Sequence, residues 1–144
     1  MIKKFLMGMA FLLVLNFCAY AEIREFKRFS LDVPEGWICT EYPDADTVAL
    51  IANDKTSSMS ITITPTGGAG LREIAGAYMK ELKATDSELN SDGSYIFQFN
   101  NGNGLSHGIL RGFDNGDYYM LVVLTGINND DDPFSKILSS LEIK

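Results

Sequence analysis

The chain has 144 residues, 19 acidic and 12 basic side chains, one histidine and two cysteines, and a formal charge of −7 at pH 7. An acidic chain without a Lys/Arg cluster is not built to neutralise phosphate backbones, which argues against nucleic-acid partners and against anionic lipid surfaces. One imidazole and two thiols are too few for the usual transition-metal ligand sets, so no cofactor is expected.

Lys3 and Lys4, the apolar run Phe5–Phe17 and Ala19-Tyr20-Ala21 before Glu22 follow the positive, apolar and small-residue order of a secretory signal peptide. The run falls short of the roughly 20 apolar residues that span a bilayer. The sequence therefore predicts cleavage after Ala21, a periplasmic or secreted product, and no stable membrane insertion afterwards. Cys18 raises a lipoprotein alternative, but that processing wants small residues ahead of the cysteine, and Asn16 and Phe17 are bulky. Cleavage leaves residues 22–144 as one domain, large enough to fold around a core without a metal or disulfide. It also removes two of the twelve bases, so the mature charge becomes −9. Cys39 is then the mature chain's single cysteine, and its alternation with Trp37 places both on one buried face.

Phe29, Leu31 and Val33 alternate with Ser30 and Asp32, the period-2 pattern of a half-buried strand. Pro34-Glu35-Gly36 turns the chain into a strand from Trp37 to Thr40, and Thr47–Ala52 makes a third. Met59, Ile61 and Ile63 alternate with Ser60, Thr62 and Thr64 in a fourth, ending at Pro65. Leu71, Ile74, Ala75, Tyr78 and Leu82 then form one helical stripe, with Arg72, Glu73, Lys80, Glu81 and Lys83 opposite it. Gly76 falls on the outer side of that helix. Tyr95–Phe99, Leu105–Phe113 and Tyr118–Leu124 are three further strands separated by Gly/Asn/Asp turns. The last is apolar throughout, which predicts a central strand covered on both faces. Phe134, Ile137, Leu138 and Leu141 mark a final helix. The expected class is α+β: an antiparallel sheet flanked by helices, in the order four strands, helix, three strands, helix.

Gly104-Leu105-Ser106-His107-Gly108 matches the G-x-S-x-G pattern of serine hydrolases. A nucleophile elbow requires a strand-to-helix turn, whereas this serine leads into a strand. Adjacent strand residues point to opposite faces, so His107 cannot serve Ser106, and the chain holds no second histidine. No catalytic residue is expected. His107 and Arg111 share a strand face and form a candidate ligand or partner surface.

Asp130 and Asp132 in the run Asn128–Pro133 approximate the start of a calcium loop, but Pro133 and Ser139 occupy the positions that need glycine and glutamate. Asp132 followed by Pro133 reads better as a helix start. Together with Asp44 and Asp46 these aspartates are the weak metal candidates, and Asp54 extends the same acidic rim. Gly67-Gly68-Ala69-Gly70 before a helix resembles an anion nest, yet it lacks the phosphate-loop spacing and lysine.

The stretch Phe29-Ser30-Leu31-Asp32-Val33-Pro34-Glu35-Gly36-Trp37 resembles the strand–proline–glycine–tryptophan entry of PsbP-like proteins, including DcrB-like periplasmic members. The likeness continues as element order through Ile61-Thr62-Ile63, the helix from Leu71, Tyr118–Leu124 and Leu138-Ser139-Ser140-Leu141. It implies an α/β/α sandwich around an antiparallel sheet. It implies no catalytic residue, since relatives serve as photosystem subunits, an import factor and envelope proteins. The expected function is a non-enzymatic accessory or binding module acting through a periplasmic or envelope protein partner. The alternative is a small-ligand or divalent-cation binding protein.

Overall fold

A computed structural model describes residues 15–17, 22–42, 46–52, 55–102, 104–126 and 134–143. The strands are β1 (Leu15–Phe17), β2 (Glu22–Glu25), β3 (Phe29–Val33), β4 (Ile38–Tyr42), β5 (Thr47–Ile51), β6 (Ser58–Pro65), β7 (Thr85–Leu89), β8 (Tyr95–Asn100), β9 (Leu105–Gly112), β10 (Tyr118–Thr125) and β11 (Glu142–Ile143). The helices are α1 (Leu71–Glu81) and α2 (Phe134–Ser140). Eight strands form one sheet in the order β1-β4-β5-β6-β10-β9-β8-β7, and β11-β3-β2 form a second, with antiparallel pairing throughout. The molecule is thus α+β with antiparallel sheets.

Strand β10 lies inside the large sheet, as its apolar run predicts, and its neighbours there are β6 and β9. Met120, Val122 and Leu124 enter one core with Val48, Leu50, Met59 and Ile61, roofed by Leu31 and Val33 of β3 and by Phe134 and Ile137 of α2. Tyr119 enters a second core on the other face, with Phe97, Phe99, Leu110 and Ala75 of α1. Each face of the large sheet is therefore covered over half its width, and the covered halves lie diagonally. The second sheet and α2 cover β4–β6 and β10 on one side; α1 covers β8–β10 on the other.

Two expectations change. The order is not four strands, helix, three strands, helix, because β1, β2, β7 and β11 are added. They are short or polar, and their pairing partners rather than their own side chains make them strands. The layer opposite α1 is also not helix alone. β3 leaves the large sheet and packs across it, burying Phe29, Leu31 and Val33. Residues 15–17, which the sequence assigns to the leader, pair with β4: Leu15 with Thr40, Asn16 with Cys39, Phe17 with Ile38.

Trp37 and Cys39 are both buried, and the Trp37 indole meets the Phe134 ring edge-on with centroids 6.2 Å apart. The stripe of α1 faces the second core as its periodicity requires: Leu71, Ile74, Tyr78 and Leu82 pack beside Ala75. The helix closes with a Schellman pattern. Ala84 N–H donates to the Met79 carbonyl at 2.8 Å and Lys83 N–H to Lys80 at 3.4 Å, with Lys83 at φ 53° where glycine is usual. Gly76 is exposed, and a methyl group there meets nothing within 4 Å. Gly76→Ala should accordingly raise stability by about 0.5–1 kcal/mol through backbone entropy alone. A urea midpoint that stays put or falls would show that α1 is not stability-limiting at this turn.

Candidate functional site

Strand β9 alternates buried Ser106, Gly108 and Leu110 with His107, Ile109 and Arg111. His107 and Arg111 therefore share a face, with Ile109 between them. That face is part-exposed at His107 and Ile109 and exposed at Arg111, with Ile109 packed against the first core. Register places His107 between Leu124 of β10 and Gln98 of β8. Its Nε2 lies 3.2 Å from Gln98 Nε2, while Nδ1 is buried and has no hydrogen-bond partner among the described residues. For the Gln98 amide to donate, His107 must be the neutral tautomer protonated at Nδ1.

Ser106 is on the opposite face and fully buried, and its hydroxyl lies 2.8 Å from Thr125 Oγ1. The serine and histidine of the G-x-S-x-G pattern are thus on different sides of the sheet, each with its own partner. Gly108 is explained by packing. It registers with Phe97, and a Cβ at Gly108 would lie 2.5 Å from that ring.

Arg111 is exposed and borders two clefts. One, of about 330 Å³, is bounded by Gly70 at the start of α1, Asp92 and Tyr118. The other, of about 520 Å³, is bounded by Phe113, Asp114 and Glu142. The Asp92 carboxyl is held below the ordinary carboxylate range by hydrogen bonds from the Ser94 hydroxyl and backbone, with a smaller contribution from Arg111. Both clefts pair the one guanidinium with a carboxylate nearby, so they carry no net cationic field for an anion. The Gly67–Gly70 loop opens α1 without a side-chain cap.

Of the acidic candidates, Asp44, Asp54, Asp130 and Asp132 lie outside the described residues. Asp46 adopts φ 48° and faces Arg28, with Oδ2 4.0 Å from Nε. Arg28 in turn stacks on Tyr118, its Cζ 3.9 Å from the ring centroid, and donates to the Tyr118 hydroxyl at 3.0 Å. A guanidinium beside a carboxylate opposes a divalent cation there. Among the described residues no three His, Cys, Asp or Glu side chains gather into a metal-holding group.

Sequence reading missed three features. The Arg28–Tyr118 stack joins residues 90 positions apart. Tyr78 and Tyr119 pair through their hydroxyls at 2.8 Å, and burial first, then that hydrogen bond, pushes the Tyr78 hydroxyl upward. The third is the uncovered half of the α1 side of the sheet. There β4, β5 and β6 present Ile38, Thr40, Tyr42, Thr47, Ala49, Ile51, Ser58, Ser60 and Thr62, all part-exposed or exposed. Ile38 registers beside Ile51, and Tyr42 and Ile51 are 52% and 38% exposed. The polar half of the β6 alternation was its only trace in the sequence.

A scan against protein-family models finds no match, and a search of curated proteins finds none of significance. No helix among the described residues is long and apolar enough to cross a membrane.

Proposed function

We propose that the chain is exported, processed after Ala21, and acts in the periplasm as a non-enzymatic binding module engaging a protein partner through the uncovered face of β4–β6. The observation that carries this reading is that face itself: a flat, regular surface of small Ser, Thr and Ala side chains with Ile38, Tyr42 and Ile51 at its rim. Such a surface is ordered at low cost, because short side chains lose little rotamer entropy, and its exposed apolar rim supplies the driving force. We also carry forward the PsbP-like, DcrB-like resemblance, with its α/β/α sandwich, as the family reading. The antiparallel sheet with α1 on one side and α2 in the opposite layer supports it. Function is not transferred from that likeness, since a fold hosts many roles.

The test places a photo-crosslinking residue at position 51 in the exported protein, and a control at Arg72 on the outer side of α1. The expected result is a discrete adduct with another envelope protein from position 51 and none from 72. Equal adducts from both positions, or none from 51, would remove the reading. The mass of the purified protein reports separately whether residues 1–21 have been cut.

A further inference from the structure

Sheet edges are the places where a β protein accepts another chain, and most are protected. Among the described residues, three of the four edges are. β7 carries Asp86 and Glu88 and a register shift between Thr85 and Ser87. β2 is Glu-Ile-Arg-Glu, and β11 is two residues long. The fourth differs. β4 reads Ile-Cys-Thr-Glu-Tyr, carries one charge, and keeps an unbroken register with β5 over all five residues. Its outer side is occupied by β1, paired antiparallel at three positions. β1 lies within the segment that the sequence marks for removal.

We propose that removal of the leader vacates the β4 edge, and that this edge then takes up an extended segment of a partner protein by antiparallel strand addition. This deepens the binding-module reading and rests on its leader cleavage. The ladder of backbone hydrogen bonds supplies affinity, and alternate side chains supply selectivity. Positions 15 and 17 define the register, opposite Thr40 and Ile38. Residues of an incoming strand at those positions extend the face that holds Ile38 and Ile51, so apolar side chains are favoured there. The next position falls opposite Glu41, which is exposed and favours a lysine or arginine. A second copy is the poorer occupant, because two processed chains of charge −9 repel one another.

The probe is a soluble, lysine-tagged and fluorescently labelled peptide carrying residues 13–17, Leu-Val-Leu-Asn-Phe. Saturable binding is expected to the processed protein, at least tenfold tighter than to the unprocessed chain, whose own β1 occupies the edge. The full chain carrying Leu15→Pro and Asn16→Pro should bind like the processed protein. Consecutive prolines remove the donor of whichever residue faces β4. Peptide binding should slow amide exchange at Ile38–Tyr42 at least tenfold and leave β7 unchanged. A peptide with the same two prolines should not bind. The proposal is overturned if folded processed protein ignores the peptide, if protection appears elsewhere, or if the processed chain pairs with itself at β4 instead. Retention of the leader on export would overturn both the processing step and the vacating of the edge, whereas failure of the proline-substituted full chain to bind the peptide would overturn the strand-accepting edge by itself.

Discussion

Phe97→Ala lowers the stability of the chain by about 3–5 kcal/mol, Gly108→Ala by about 1–3 kcal/mol, and the double substitution costs little more than Phe97→Ala alone. Phe97 is fully buried under α1, with its ring centroid 6.0 Å from that of Phe99. It registers directly opposite Gly108, and the ring lies where a β-carbon of residue 108 would stand. Removing the ring opens a cavity among Leu110, Tyr119 and Ala75. Adding the methyl group alone pushes the ring off its seat. With the ring gone the methyl group has room, so the two costs do not add, and a coupling of about 1–3 kcal/mol is expected. Urea unfolding of the three variants measures it. Additive losses would mean that the ring and the glycine do not share the space assigned to them, and the packing account of Gly108 would fail.

That pair also shows what a sequence holds and what it withholds. The glycines and serine of Gly104–Gly108 look alike in a pattern search, yet their reasons are non-local: Ser106 answers to Thr125 and Gly108 to Phe97. The stripe of α1, the alternation of β6 and the two-sided burial of β10 were readable because each is a periodicity within one segment. The face shared by His107 and Arg111 was readable for the same reason, though Gln98 as the partner of His107 was not. β7, with the polar sequence Thr-Asp-Ser-Glu-Leu, has no periodicity of its own and becomes a strand only because β8 offers it an edge. The departure of β3 into a second sheet was hidden too, since Phe-Ser-Leu-Asp-Val alternates equally well in either sheet. The diagonal covering of the large sheet follows from that choice, and the uncovered β4–β6 face follows from the covering. The surface assigned to function is therefore three inferences removed from any local pattern.

Gly126→Ala should cost more than its one methyl group implies, about 2–6 kcal/mol. Gly126 follows β10 directly, at φ 86°, a left-handed conformation that costs a residue with a β-carbon about 1–3 kcal/mol. The added carbon would also run into the Thr56 carbonyl oxygen and lie 3.1 Å from Ser57 Cα. These are backbone atoms that cannot rotate away, so the β5–β6 connection must shift, adding a further strain of about 1–3 kcal/mol. That connection is not free to move. Ser57 donates its hydroxyl to the Gly126 carbonyl at 3.1 Å, and its own carbonyl accepts from Ala52 N–H at 2.9 Å. Ser57→Ala is the control, because it deletes the hydroxyl bond while leaving the close backbone approach, for about 1 kcal/mol. A Gly126→Ala loss no larger than that of Ser57→Ala would show that the connection yields easily and that the approach is not structural. A larger loss places the register of β5, β6 and β10, on which the uncovered face depends, under the control of one glycine at the end of the central strand.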